Sequence, residues 1–251
     1  IIRFHVPAWL QLDMREINFA GFKVEKKQEA EGKKTLYTFR MTDLPAVKQE
    51  DKALGFAHTW PHLVILVKSF EANGSKQKGF ETAADLYDWC NSLYKKCDNQ
   101  PASFKSKVEE LVRGKENDMD KIRSIFYWVQ DNIRYIAFED GYAGFIPSPA
   151  QDVYKNKYGD CKGMANLLTE MLKQAGFDAH FTWIGTKHLP YDYSIPSLCV
   201  DNHCISALYL AGKTYFLDAT EKFAIPNILP RRVLNWFGRI IRKTGSSANV
   251  D

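Results

Sequence analysis

The hydrophobic pattern changes period twice along this chain, and that change limits its fold more than any single motif. The first 80 residues read mostly as strands. Thr35 to Met41 (TLYTFRM) alternates apolar and polar positions, and His62 to Phe70 (HLVILVKSF) is a short run rich in β-branched residues. The glycine at 32 marks a turn between strands. Glu71 to Gly79, with its Asn-Gly pair, reads as a loop.

From residue 82 the period becomes helical. Leu86, Trp89, Cys90 and Leu93 share one face behind Thr82 as N-cap. PASFKSKVEELVRG opens on Pro101 and closes on Gly114, as a short helix should. Ile122, Ile125, Phe126, Val129 and Ile133 form the strongest amphipathic stripe in the chain. A structured loop follows, with one short helix over 148–156. The next helix starts at Cys161 and ends at Gly176.

Alternation then returns in DAHFTWIGT, HCISALYL and KTYFLDA, the last two joined through Ala211-Gly212. Strands, then helices, then strands predict an α+β fold rather than an alternating α/β sheet. The expected division is 1–75 as a partial β-rich domain, 76–230 as the core with its leading helices, and 231–251 as a basic tail.

Composition excludes several classes. Of 251 residues, 45% are hydrophobic and 25% charged, an ordinary globular balance. The 34 basic and 30 acidic side chains leave a net charge of +4, too even to call for nucleic acid. No apolar run approaches the ~18 residues of a transmembrane helix. The chain opens Ile1-Ile2-Arg3 without Met, and is expected to be a processed product or an excised segment whose targeting information is missing.

The tail interleaves Arg231, Arg232, Arg239, Arg242 and Lys243 with Val233, Leu234, Trp236, Phe237, Ile240 and Ile241. It reads as a basic helix, docked on its own domain or disordered; membrane contact is the less favoured reading. Oligomeric state is not legible.

Cys161 sits where backbone geometry makes thiols reactive. Gly159 is expected to supply a positive φ, and Asp160 an N-cap. Cys161 then occupies the first helical position, where N–H groups and the helix dipole favour a thiolate. On that helix Cys161, Met164, Ala165, Leu168, Met171, Leu172 and Ala175 share one side.

A nucleophilic cysteine needs a base and a group that orients the base. If Ala211-Gly212 is a two-residue loop, Leu210 faces Lys213, Ile205 faces Asp218 and His203 faces Thr220. His203 and Asp218 are then diagonal neighbours on one face, with Cβ atoms roughly 7–8 Å apart. A one-residue change in the loop would put them on opposite faces. The roles follow: Cys161 attacks an acyl carbonyl, His203 moves the proton, and Asp218 fixes the imidazole tautomer. The Cys161 N–H, helped by Tyr135, would meet the oxyanion.

At these residues the chain resembles the transglutaminase-like superfamily. YGDCKGMANLLTEMLKQAG, NHCISALYLAGKTYFLDAT and the upstream GFIPSPAQDVYKNK match its Cys, His and Asp blocks in order, over about residues 100–225. The likeness extends to bacterial proteins, notably from Bacteroidetes, that carry a β-rich domain before this core. It implies a papain-like α+β core, a Cys161–His203–Asp218 triad and acyl transfer on amide bonds through a thioester. The acceptor is water in a peptidase or amidase, and an amine in a transglutaminase. No cofactor is implied, the substrate is a protein or peptide, and export to the cell envelope is suggested. The alternative is a catalytically silent domain that binds peptide or glycan.

The remaining residues carry structural expectations. Five cysteines, an odd number, leave at least one thiol free or paired outside the chain. Cys90 and Cys97 read as core or surface thiols. Cys199, His203 and Cys204, with Cys161, could be offered as metal ligands, but the spacing matches no zinc pattern and no metal is expected. Cys204 should point to the strand face opposite His203. His58, His62, His180 and His188 read as structural.

Overall fold

The computed structural model describes residues 1–44, 46, 55–137, 139–226, 238–241 and 247–250. It has the α+β architecture that the change of period implies, and it divides into two compact units. One unit comprises Ile1–Leu86 with His188–Val200; the other comprises Tyr87–Lys187 with Asp201–Asp251.

The first unit is built on strands. They are β1 (Ile2–Pro7), β2 (Leu10–Ile17), β3 (Val24–Glu31) and β4 (Lys34–Met41), then the one-turn helix α1 (Phe56–Thr59), β5 (His62–Ala72) and β6 (Ser75–Lys78). β1-β4-β3 form one antiparallel sheet and β2-β5-β6 another. The stretch expected as a loop after Phe70 is a hairpin. Asn73 and Gly74 both take positive φ (51° and 72°), the backbone twist that suits a two-residue connection. The glycine at 79 also closes on β5, where an added Cβ would come within 1.9 Å of the Val67 carbonyl oxygen.

The segment His188–Val200 joins this unit. Ile195 and Val200 pack with Val64 and Leu66 of β5. His62 anchors the segment: its Nδ1 lies 2.8 Å from the Trp60 carbonyl oxygen and its Nε2 lies 2.9 Å from the Tyr191 hydroxyl. The carbonyl can only accept, so Nδ1 carries the proton and Nε2 accepts from the tyrosine.

The second unit holds the helices and the large sheet. α2 (Ala83–Tyr94) leads in from the first unit, and Asp85 N–H donates to Thr82 Oγ1 at 3.2 Å, as expected of an N-cap. A 3-10 turn over Pro101–Phe104 runs into α3 (Lys105–Val112), followed by α4 (Asp118–Asn132). All five residues of the α4 stripe are buried. β7 (Arg134–Tyr135), α5 (Ala150–Asn156) and β8 (Tyr158–Gly159) lead to α6 (Cys161–Gln174).

β9 (Asp178–Ile184), β10 (His203–Leu210) and β11 (Lys213–Leu217) follow. The sheet order is β11-β10-β9, extended past β9 by β12 (Gly238–Ile241) and β13 (Ser247–Val250). Gly238–Ile241 were expected as helix. They form a strand instead, paired antiparallel with the far edge of β9, with Ile240 opposite Thr182. Residues 231–237 and 242–246 of the basic tail lie outside the described residues.

α6 was expected to bury one face. It is buried all round from Cys161 through Thr169. Met164, Leu167, Leu168, Met171 and Leu172 fill the core shared with α3, α4 and β10. A helix apolar on one face can be enclosed on all sides only if its polar residues find partners. Thr169 donates to Ser206 Oγ on β10 at 2.9 Å, and Asn166 Nδ2 donates to the Ser148 carbonyl at 3.0 Å. Among the described residues no helix is long and apolar enough to cross a membrane.

Candidate active site

The turn before α6 is set by close approach. The expected positive φ at Gly159 is not found. The left-handed residue is Lys157 (φ 61°), which closes α5 with its ammonium 4.1 Å from the Tyr154 ring centre and 4.5 Å from that of Trp128. By Gly159 the chain is already extended in β8, paired in parallel with Tyr135 of β7. Gly159 is needed for space, since an added Cβ would meet Val153 Cγ1 at 3.2 Å. Gly163, one turn into α6, faces the same side chain, its added Cβ 3.1 Å from Val153 Cγ2.

Asp160 caps α6 as expected, its Oδ1 accepting from Gly163 N–H at 2.8 Å. Its other oxygen is ion-paired with Lys162 Nζ. Lys162 is 2% exposed, which is rare for lysine unless it is paired. The site therefore contains a buried cation one residue from Cys161.

The β10–β11 register is the expected one, with Leu210 opposite Lys213 and Ser206 opposite Leu217. His203 opens β10 and Asp218 lies just past the end of β11. His203 Nε2 and Asp218 Oδ2 are 2.8 Å apart, both buried. Asp218 Oδ1 accepts from the Thr220 hydroxyl at 2.6 Å and from its N–H at 3.0 Å. Asn202 locks the strand start: its N–H donates to the Ile184 carbonyl at 2.9 Å, and its amide pairs both ways with Thr186.

His203 is also hydrogen-bonded to the Cys161 sulfur, so Cys161, His203 and Asp218 come together. Tyr135 lies on the strand beside the turn, 41% exposed, and its pairing with Gly159 places it two residues before Cys161 in the neighbouring strand.

Sequence reasoning missed Cys204. Alternation does put it on the strand face opposite His203, but that face is the one α6 covers. Cys204 packs with Cys161, Ala165 and Phe181 in one buried cluster, and the two thiols are hydrogen-bonded. A cysteine next to the histidine at the start of a strand that receives the nucleophile helix was the available signal. Thr220 and Lys162 were missed as well. Thr220 is legible only as the residue two past Asp218, where a short hydrogen-bonded turn forms.

The electrostatics follow from these contacts. The Cys161 thiol is pulled down to about 5, first by the hydrogen bond from Cys204, against burial, and then by the hydrogen bond and charge of His203 and the charge of Lys162. Burial pushes the His203 imidazole down, but the Asp218 carboxylate and the Cys161 sulfur outweigh it and raise the ring to about 9. Burial pushes the Asp218 carboxyl up, yet His203 and Thr220 bring it below its ordinary value. Cys204 goes well above its ordinary value, because it is fully enclosed and its neighbour is the anion. Between about pH 5 and pH 9 the site is therefore a thiolate beside an imidazolium.

The sequence of residues 105–218 matches the transglutaminase-like superfamily, a span that holds Tyr135, Cys161, His203 and Asp218. This segment is a transglutaminase-like domain. The family match supports a thiol-dependent enzyme. The mouse and human proteins named Kyphoscoliosis peptidase are each 25% identical to the chain over 116 residues, 45% of this chain and 17% of theirs. A crystal structure of a candidate protease from Parabacteroides distasonis superposes with a TM-score of 0.67 at 18% identity, covering 99% of this chain and 44% of that one. That likeness establishes the fold of the transglutaminase-like domain and of the strands before it. The chain spans less than half the length of these relatives.

Proposed function

We propose that the transglutaminase-like domain is a cysteine-dependent enzyme that cleaves amide bonds in a protein or peptide. The carrying observation is the buried contact series from Cys161 to His203 to Asp218, with the thiol down at about 5 and the imidazole up at about 9.

In this reading the Cys161 thiolate attacks the carbonyl carbon. The oxyanion that forms is held by the Cys161 backbone N–H at the start of α6, with the Tyr135 hydroxyl as second donor. His203, already protonated, gives its proton to the departing amine, and the C–N bond breaks to leave a thioester on Cys161. His203, now neutral, takes a proton from water as it attacks the thioester. The acid leaves and the thiolate returns. Asp218, fixed by Thr220, keeps the Nε2 proton on its own side, so that Nδ1 faces the sulfur. An amine in place of water gives transamidation by the same residues. Water is the default acceptor, and the likeness over 116 residues to proteins named peptidase favours hydrolysis.

The test is incubation of the chain with a peptide mixture and with a small primary amine, read by mass spectrometry. Cleavage that disappears in Cys161→Ala and His203→Ala supports the proposal. Incorporation of the amine without cleavage makes the enzyme a transamidase. Binding of peptides without either reaction makes the domain a recognition module.

A further inference from the structure

Cys204 makes and breaks no bond in the mechanism above, yet it is a second thiol against the reactive one, whose thiolate it stabilises. Both sulfurs lie in one buried cluster walled by Ala165 and Phe181, held between the first turn of α6 and the first turn of the β10 ladder. The Thr169–Ser206 hydrogen bond fixes that helix to that strand two residues further along. Cys161 is 4% exposed, so only a small oxidant is suited to reach it, and the neighbouring thiol is placed to intercept the product.

The geometry points to Cys204 as a resolving thiol, which closes a reversible Cys161–Cys204 disulfide when a hydroperoxide oxidises Cys161. This rests on the reading that Cys161 is the reactive thiol. In the first step the Cys161 thiolate attacks the peroxide, the O–O bond breaks, and Cys161 sulfenic acid forms with release of hydroxide or alkoxide. In the second step Cys204 sulfur attacks the sulfenic sulfur. The S–S bond forms, the S–O bond breaks, and the Cys204 proton leaves with the hydroxyl as water. The two sulfurs together lose two electrons and the peroxide gains them.

The first step also removes one obstacle to the second. Burial is the first cause that holds the Cys204 proton, the Cys161 anion and its hydrogen bond add to it, and Lys162 works to release it. Once Cys161 is an uncharged sulfenic acid, the thiolate's charge no longer opposes ionisation of Cys204. The disulfide then blocks further oxidation of Cys161 to the irreversible acids.

The test treats the reduced full chain with hydrogen peroxide and maps cysteines by peptide mass, after iodoacetamide labelling has measured Cys161 reactivity in the untreated protein. The expected result is a Cys161–Cys204 linked peptide, loss of Cys161 labelling, and full recovery with dithiothreitol. In Cys204→Ser and Cys204→Ala the loss should become irreversible, with two oxygens added at Cys161. Cys90 also packs against the cluster, so Cys90→Ser serves as the control and should leave the linkage intact. A Cys161–Cys90 link overturns the inference, as does over-oxidation of Cys161 in the wild type. So does the absence of oxidation. If untreated Cys161 labels as an activated thiol and no Cys204 link forms, the inference fails while the proposed function stands. If untreated Cys161 is inert, both fail.

Discussion

The Thr169 hydroxyl on α6 donates to the Ser206 hydroxyl on β10 at 2.9 Å, with both residues fully enclosed. This bond joins the helix that begins with Cys161 to the strand that begins with His203. A slip of either element by one residue would break it. Thr169→Val should cost about 1–3 kcal/mol, because the change removes one partner of a buried pair. The double change Thr169→Val with Ser206→Ala should cost less than the two single costs together. Urea denaturation of the four proteins measures the coupling.

Val153 is the surface on which the turn before Cys161 closes. Gly159→Ala and Gly163→Ala each bring a Cβ to within 3.2 and 3.1 Å of its methyl groups. Each should destabilise by about 1–3 kcal/mol through overpacking. Val153→Ala should relieve part of that cost in either background. Thermal melts of the single and double variants read the relief.

Lys162 contributes a buried charge to the site. Lys162→Met keeps the length of the stem but leaves the Asp160 carboxylate enclosed without its cation. The expected loss is about 3–5 kcal/mol, since breaking a buried pair is worse than lacking one. Asp160→Asn in the same protein should restore part of it, because asparagine still caps a helix. The Cys161 titration midpoint should also rise in Lys162→Met, since the lysine charge helps to hold the thiolate.

Asp218→Asn tests the orienting group. Without the carboxylate the His203 ring should fall from about 9 toward its ordinary 6.5, and any amide cleavage should drop by roughly 10²–10⁴-fold. The linkage to stability has two signs. The thiol is depressed from 9.0 to about 5, so its contribution is complete above pH 9 and is lost as pH falls through 5. The imidazole is raised from 6.5 to about 9, so its contribution is complete below pH 6.5 and is lost as pH rises through 9. Denaturation of wild type and Asp218→Asn across pH should show the mutant losing the second contribution at lower pH.

Local rules made much of the site legible. The two-residue loop at Ala211-Gly212 fixes the β10–β11 register, so local pattern alone puts His203 and Asp218 on one face. Asp160 ahead of a helical pattern gave the cap. What escaped depends on three-dimensional enclosure. Lys162 looks like a solvated charge until Asp160 folds back on it, and Cys204 looks averted from the site until α6 covers its face of the sheet. Gly159 was assigned to backbone freedom, whereas the constraint is the Val153 side chain from another element. The attachment of His188–Val200 to the first unit is made by Ile195 and Val200 against Val64 and Leu66 and by the His62–Tyr191 contact across 129 residues, a separation at which local pattern carries no information.

The central claim is that Cys161 and His203 form a thiolate–imidazolium pair. It is tested by the rate of Cys161 alkylation with iodoacetamide across pH, followed by peptide mass in wild type and in His203→Ala. The expected result is a midpoint near pH 5 in the wild type with a reactive plateau above it, and a midpoint moved toward the ordinary thiol value of 9.0 in the mutant. A Cys161 that titrates as an ordinary thiol in both proteins, or that does not react at all, would contradict it.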